Sequence, residues 1–444
     1  MTLENEKNYG FLSFLPLIIF LTIYIGSGLF FTYLGVENPF RKFPRHVALL
    51  IAIASAMIIN RRVSIDKKIQ VFSEGAGNPS VIMIGLIYLL AGGFQEAAKI
   101  TGGVESIVNL GLTFIPDYFL VPGVFLITSI ISTAIGTSTG TIAAMAPIAL
   151  GIAEATSINT ALVSSAVIGG AYFGDNLSII SDTTIAAAKG VDSDMKDKFK
   201  TNLFIAFPAA ILAIIMYSIF NGEAVIINEI KPYSITKIFP YITVLFSALL
   251  GFNVVGVLFI GILTTGLIGF FTSSITFLNW ITAIGNGMSN MFSITIVAIL
   301  ISGLISIIKY YGGINWIIDV LSKKIEKKQD AEYGLGIMAG LLSSALVNNT
   351  IAIIITAPIA KDIGKKYEIE PKRIASIIDI FACAFLALTP YDGGMLIITG
   401  LSNVSPLEVL KYSFYIFSLL IVTSVNIYFN KNKKVLNNGL SAKK

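Results

Sequence analysis

The stretch Ser132-Thr133-Ala134-Ile135-Gly136-Thr137-Ser138-Thr139-Gly140-Thr141-Ile142-Ala143-Ala144-Met145-Ala146-Pro147-Ile148-Ala149 recurs 211 residues later. There it reads Ser343-Ser344-Ala345-Leu346-Val347-Asn348-Asn349-Thr350-Ile351-Ala352-Ile353-Ile354-Ile355-Thr356-Ala357-Pro358-Ile359-Ala360. Eight of the eighteen positions are identical, where a biased composition gives about two. The same gap-free offset aligns Gly92 with Gly303, Gly102 with Gly313, Ser165 with Ser376 and Ala171 with Ala382. Two repeats, 81–189 and 292–400, are therefore expected. Each holds an apolar run, 117–150 or 335–360, interrupted in its middle by small and polar residues. In an apolar chain such a pair reads as two re-entrant hairpins. A helical arm of 12 residues reaches about 18 Å, just past the midplane of a hydrocarbon core about 30 Å thick.

The composition demands a membrane. Of 444 residues, 55% are hydrophobic and 13% charged, with a mean hydropathy of +0.81. A soluble domain carries about 25% charged residues, so this chain cannot cover a water-facing surface. That excludes a cytosolic enzyme and a disordered protein. The single cysteine, Cys383, excludes disulfide frameworks and cysteine zinc sites, and the single histidine, His46, excludes His-rich metal sites. The net charge of +5 is accounted for by topology, and no nucleic-acid partner is expected. The run from Tyr9 to Leu34 is too long for a cleaved signal sequence and reads as a retained span.

The expected fold is an all-α polytopic membrane protein of about ten transmembrane helices plus the two hairpins, in two inverted repeats. Spans are placed at 10–35, 47–60, 81–99, 161–189, 203–221, 238–250, 252–271, 292–310, 375–400 and 412–429. Segment 1–80 supplies N-terminal helices, 190–291 linking helices, and 401–444 a last helix and basic tail. Assigning 1–9, 61–80, 189–202, 314–334, 361–373 and 431–444 to the cytoplasm collects 23 of the 31 basic residues there, as the positive-inside rule requires. The opposite side then holds loops 101–116, 151–160, 223–237, 272–291 and 401–411. Arg41, Lys42 and Arg45 dissent, and leave the topology of 36–60 open. On this layout the repeats enter from opposite faces, the plan of a secondary transporter with its site where broken helices meet at the midplane. The segment 314–334 reads as an interfacial amphipathic helix.

Polar groups at membrane depth are costly unless they work. The first hairpin tip offers Thr137, Ser138 and Thr139, and the second offers Asn348, Asn349 and Thr350. The richest segment is Gly169-Gly170-Ala171-Tyr172-Phe173-Gly174-Asp175-Asn176-Leu177-Ser178-Ile179-Ile180-Ser181-Asp182-Thr183-Thr184. Asp175, Asn176, Ser178, Ser181, Asp182 and Thr183 form an oxygen-rich set inside an apolar run, and such ligands suit a hard cation such as Na+. Asp175 and Asp182 are the Na+ candidates. At the repeat offset stands Leu388-Thr389-Pro390-Tyr391-Asp392-Gly393-Gly394, where Pro390 and the glycine pair break the helix and Thr389 and Asp392 carry the chemistry. Two further acids lie inside apolar spans. Glu96 has Lys99 as a candidate partner, and Asp379 has Arg373.

The run Gly170-Ala171-Tyr172-Phe173-Gly174-Asp175-Asn176-Leu177-Ser178, followed by Ser181-Asp182-Thr183-Thr184, resembles the NhaC family of Na+/H+ antiporters, whose motif reads much like G-A-Y-F-G-D-x-x-S-P-x-S-D-T-T. The resemblance extends over roughly 60–430. Ile179 stands where the family often has proline, and Asn176 where many members carry lysine. The resemblance implies the ion-transporter superfamily fold, elevator-like movement and a bacterial inner membrane with a cytoplasmic C-terminus. The Gly-rich entry at Glu74-Gly75-Ala76-Gly77-Asn78 looks like the family's amino-acid-permease branch.

The leading expectation is exchange of Na+ for H+ by alternating access, with no catalytic residues and no cofactor. The alternative is Na+- or H+-coupled transport of an amino acid or small carboxylate, with Asn348 and Asn349 binding the solute. Lipid is the obligatory partner, and a homodimer is compatible with the reading. An intramembrane aspartyl protease built on Asp175 and Asp392 leaves the repeats without a role. A passive channel finds no ring of like charges, and ATP-driven transport finds no P-loop. Asn at either Asp175 or Asp182 is expected to abolish coupling.

Overall fold

The computed structural model describes residues 9–36, 39–114, 116–156, 158–178, 181–221, 232–322, 326–402 and 404–441. Every regular element among them is a helix. The chain runs through α1 (Leu15–Tyr33), α2 (Pro39–Lys42), α3 (Arg45–Ile59), α4 (Ile65–Ala76), α5 (Pro79–Ile100) and α6 (Gly103–Phe114). Then come α7 (Leu120–Ile135), α8 (Ser138–Thr156), α9 (Thr160–Leu177) and α10 (Asp182–Gly190). Three linking helices, α11 (Met195–Phe220), α12 (Ile235–Leu249) and α13 (Val254–Phe271), lead to the long α14 (Phe277–Tyr310) and to α15 (Gly313–Ser322). The series closes with α16 (Lys328–Leu346), α17 (Asn349–Lys366), α18 (Pro371–Ala387), α19 (Gly393–Leu401), α20 (Pro406–Lys411) and α21 (Phe414–Ser441).

Among the described residues, six helices are long and apolar enough to cross a membrane: Gly10–Tyr33, Val81–Ile100, Ser138–Thr156, Met195–Phe220, Val254–Phe271 and Phe277–Tyr310. Their outer faces match that environment. Phe259, Leu263, Leu267 and Phe271 form an exposed stripe at i, i+4 spacing on α13, and Phe207, Ile211, Ile215 and Ile219 do so on α11. In water such stripes would mark interaction sites or aggregation hazards. In hydrocarbon they cost nothing, because lipid tails are as apolar as the side chains they meet. The chain is a multi-pass membrane protein.

Helix order and spacing repeat. The helices α8 and α17 begin at 138 and 349, and α10 and α19 at 182 and 393, both 211 residues apart. Pro147 and Pro358 lie at matching places inside α8 and α17. The turn between α7 and α8 places Gly136 at φ 77°, and the matching turn places Val347 at φ 49°. Glycine takes that conformation freely, whereas a β-branched residue there is strained. Helices stop at Ile135, Leu177, Leu346 and Ala387, and the next ones begin at Ser138, Asp182, Asn349 and Gly393. Residues 179 and 180 of the second break, including Ile179, lie outside the described residues.

Several expected loops hold helices instead: α4 lies within 61–80 and α20 within 401–411. Residues 277–291 of the loop assigned to 272–291 form the start of α14. The Thr276 hydroxyl accepts from Asn279 N–H to cap it, and no proline interrupts the run that follows. Residues 103–114 of the loop assigned to 101–116 form α6. The amphipathic segment 314–334 divides between α15 and the start of α16, and Lys323, Lys324 and Ile325 lie outside the described residues.

The breaks sit at the centre because their helices are buried. From Ala161 to Leu177 every residue of α9 except Phe173 is buried. Small residues let α9 approach α7 backbone to backbone. A Cβ on Gly174 would lie 2.3 Å from Ser132 Cβ and 2.4 Å from the Thr133 backbone nitrogen, the close approach that membrane helices use for packing. In the later half, α16 packs on α18. The halves then cross: α10 packs against α17, and α19 against α8.

Candidate functional site

The last turn of α9 ends when Ser178 N–H donates to the Gly174 carbonyl at 2.7 Å. Ser178 and Ser181 are both extended, at ψ 130° and 136°, and α10 starts at Asp182. The break leaves end carbonyls of α9 and first N–H groups of α10 without helical partners. Asp175 lies in that last turn, fully enclosed at 2% exposure. The Ser138 hydroxyl at the first hairpin tip donates to its Oδ2 at 2.9 Å, and the Ser181 hydroxyl donates to its Oδ1 at 2.6 Å. Ser181 Oγ lies 2.8 Å from Thr183 Oγ1. The buried Ser178 hydroxyl beside them has no hydrogen-bond partner among the described residues. No ion pair engages Asp175 among those residues, and no group of three or more His, Cys, Asp or Glu side chains converges there. The site is one carboxylate surrounded by hydroxyls.

Asp182 lies on the same break but is exposed. Its Oδ1 accepts from Thr183 N–H at 3.0 Å, and its Oδ2 accepts the Thr350 hydroxyl of the second hairpin tip at 2.7 Å. The matching contact is between Thr139 and Gly393, where a Cβ on the glycine would lie 3.7 Å from Thr139 Cγ2. Each tip therefore meets the second broken-helix segment of the other half. Thr137 is half-buried at the first tip, and its carbonyl accepts from Thr141. In the second tip, Asn348 caps α17 by accepting from Ile351 N–H, and Asn349 donates to the Cys383 sulfur at 3.4 Å.

Asp392 is buried at the start of α19, and its Oδ2 accepts from Gly394 N–H, Met395 N–H and the Tyr172 hydroxyl at 3.0, 3.4 and 3.2 Å. It is a helix cap tied to α9. Thr389 donates to Ser344 Oγ at 2.9 Å, closing the second hairpin onto its own break. A cavity of about 90 Å³ lies between α5, α14 and the second tip, with Tyr88, Ser302, Asn348 and Gly393 on its wall. The structure thus joins Asp175, Ser138, Ser181 and Thr183 in one cluster. It links Asp182 to Thr350, and holds Asp392 and Thr389 in two separate polar contacts.

Neither of the two suggested pairs, Glu96–Lys99 and Asp379–Arg373, forms among the described residues. Asp379 pairs with Lys198, not Arg373, at 2.6 Å with neither side chain exposed. Arg373 lies near the start of α18 and instead grips Glu332 of α16 through Nε at 2.6 Å and Nη2 at 2.8 Å. Lys99 pairs with Glu154 at 3.3 Å, not with Glu96, which is half-buried on α5. Sequence reasoning missed Lys198 altogether, because it sits among exposed basic residues in Met195-Lys196-Asp197-Lys198-Phe199-Lys200. The available signal was helical phase, since Asn202 falls four residues on and is also buried.

A family model described as the Na+/H+ antiporter family matches residues 10–222 and 223–430. The chain is 24% identical over 463 aligned residues to a Bacillus subtilis protein named malate-2H+/Na+-lactate antiporter, covering 94% of this chain and 96% of that one. It is 23% identical to the Na+/H+ antiporter NhaC of Alkalihalophilus pseudofirmus, over 85% of this chain and 88% of that one. Among solved structures, the YdaH transporter of Alcanivorax borkumensis aligns with 81% of this chain and 86% of its own at 12% identity and a TM-score of 0.36.

Proposed function

We propose that this chain, which belongs to the Na+/H+ antiporter family, exchanges Na+ for H+ at Asp175. The observation that carries the reading is the environment of that carboxylate: buried, unpaired by any cation among the described residues, and held by two hydroxyls. A lone desolvated carboxylate needs one positive charge. A proton and a Na+ ion compete for the same oxygen lone pairs, so each displaces the other. Serine and threonine hydroxyls serve both states, because they donate to the empty carboxylate and rotate to offer a lone pair to Na+.

In this reading the 211-residue offset reflects two inverted repeats, with α7–α8 and α16–α17 as re-entrant hairpins whose arms of 16 to 19 residues are longer than the expected 12, α8 being long and apolar enough to cross by itself. Alternating access moves the tips and broken helices relative to the outer helices. The contacts Thr350–Asp182 and Thr139–Gly393 are the places where the halves meet and part. The protein lies in a bacterial inner membrane with its C-terminus in the cytoplasm, as the charge asymmetry favours.

A second reading adds an organic solute, a small carboxylate or amino acid. It is favoured by the likeness along nearly the whole chain to a protein named for malate and lactate, and by the cavity at Asn348. One experiment separates the two. Purified protein in liposomes, with a pH-sensitive dye inside and the potential clamped, receives an inward Na+ gradient. Proton efflux without any organic solute, absent in Asp175→Asn, is the result expected for Na+/H+ exchange at Asp175. A response only after adding a carboxylate or amino acid would turn the assignment to the second reading.

A further inference from the structure

Beginning at Asn176, the residue after Asp175, a second cluster of oxygens surrounds a cation supplied by the chain itself. Lys198 Nζ donates to Asp379 Oδ2 at 2.6 Å, Thr184 Oγ1 at 2.6 Å and the Asn176 carbonyl oxygen at 3.3 Å. The ammonium has three N–H donors, and all three meet oxygen. Asn202 completes the wall by donating to the Asn176 carbonyl at 2.8 Å and to Asp379 Oδ2 at 2.9 Å. A carboxylate, a hydroxyl and a freed helix-end carbonyl form the ligand set of a hard cation. These ligands come from α9, α10 and α18. Stability alone is a poor reason to keep such a pair, since desolvating two charges offsets most of their attraction.

We propose that Lys198 is a tethered cation filling a second alkali-cation site, formed by Asp379, Thr184 and the Asn176 carbonyl. The two cation positions share one break. Asn176 follows Asp175 and Thr184 follows Thr183, so the segments that cup the front position also line the rear one. The front cation exchanges. The rear one is covalently attached and stays, which limits this break to a single mobile ion. The same break without the lysine would hold two. The inference rests on Asp175 as the exchanging carboxylate, and the test keeps the two claims apart.

The test uses full-length purified protein, with NaCl compared against choline chloride at equal ionic strength. Asp175→Asn with Lys198 in place should show no Na+-specific rise in Tm. Adding Lys198→Ala to it should create a saturable Na+-dependent rise, because a ligand that binds only the folded state stabilises it. A further Asp379→Asn should remove that rise. In liposomes, Lys198→Ala alone should steepen the Na+ dependence, with the Hill coefficient moving from about 1 toward about 2. A folded Asp175→Asn/Lys198→Ala protein indifferent to Na+ would overturn the proposal. If Lys198→Ala does not survive in choline, Na+ must rescue it, and aggregation in both salts also overturns the idea. A Na+-specific shift already present in Asp175→Asn would count against Asp175 as the exchanging group. The rear site would then be judged by whether Lys198→Ala enlarges that shift.

Discussion

Ser138→Ala and Ser181→Ala test the hydroxyl shell, and the structure ranks them against intuition. Ser138 donates to Asp175 Oδ2 at 2.9 Å, and Ser181 donates to Oδ1 at the shorter distance of 2.6 Å. Distance alone would make Ser181 the costlier loss. A hydrogen bond to a charged group contributes about 1.5–3 kcal/mol. With the hydroxyl's contact to bound Na+ taken as of that size, and at about 1.4 kcal/mol per tenfold, losing Ser138 as a Na+ ligand should raise the Na+ concentration for half-maximal exchange about 10- to 100-fold at fixed pH. Ser181 has a reserve, because Thr183 Oγ1 lies 2.8 Å from its hydroxyl and can turn toward the vacated place. Its residual cost should be that of a displaced hydrogen bond, about 0.5–1.5 kcal/mol, which is about 2- to 10-fold in half-saturation. Ser181→Ala/Thr183→Val removes the reserve and should match or exceed Ser138→Ala. The assay is the dye-loaded liposome titrated with Na+ at constant pH, with size-exclusion profiles confirming that each variant is folded. A folded Ser138→Ala protein with unchanged half-saturation would refute the hydroxyl-ligand reasoning. A loss in Ser181→Ala that Thr183→Val does not deepen would refute the reserve.

Asp182→Asn should keep Na+-coupled proton movement at reduced rate, because the carboxylate is exposed and its cross-half contact is a single bond to the Thr350 hydroxyl; complete loss in the liposome assay would return Asp182 to the ion site. Gly174→Ala should cost about 1–3 kcal/mol, since the new Cβ meets Ser132 Cβ at 2.3 Å and backbone at 2.4 Å; thermal unfolding reads the loss, and transport should fall with it because Asp175 is the next residue. Val347→Gly should stabilise the protein by about 1 kcal/mol by releasing a left-handed β-branched residue, less the entropy glycine adds to the unfolded chain; an unchanged or lower Tm would show that the strain is already absorbed.

Two kinds of information in the sequence behaved differently. Two of the breaks were legible because they depend on local chemistry: Gly136 takes the left-handed turn between α7 and α8, and Pro390 lies between α18 and α19. The Asp175 cluster was legible because dense oxygen chemistry inside an apolar run has few other uses. Ion pairing was not legible, since it depends on which helices pack. Arg373 is six residues from Asp379, yet Asp379 pairs with Lys198 of α11. Lys99 sits one turn from Glu96 but reaches Glu154 on α8. The 272–291 loop failed for a related reason. Its Asn, Gly and Ser residues are weak helix formers by themselves, but they extend α14, which packs along α5.

The departures from the repeat carry as much meaning as the repeat. The offset sets Asp175 opposite Leu386, Ser138 opposite Asn349 and Ser181 opposite Asp392. The two broken helices therefore match in backbone and differ in charge. The first keeps a carboxylate in its last turn, held only by hydroxyls and proposed to bind the ion. The second keeps one at the first N–H groups of α19, where capping uses it up. On the proposed mechanism, a site confined to one half travels with that half, and the contacts between halves release as it moves. Those contacts are unequal too. Thr350 and Asp182 are joined by an exposed hydrogen bond, which water can replace at little net cost. At Thr139 and Gly393 the tip abuts the start of α19, where Ile142 would lie only 2.4 Å from a Cβ on Gly394. Separating that contact exposes buried, close-packed surface. On the proposed mechanism the Thr350 side is the easier gate, and substitutions that enlarge Gly394 should slow exchange by jamming the harder one.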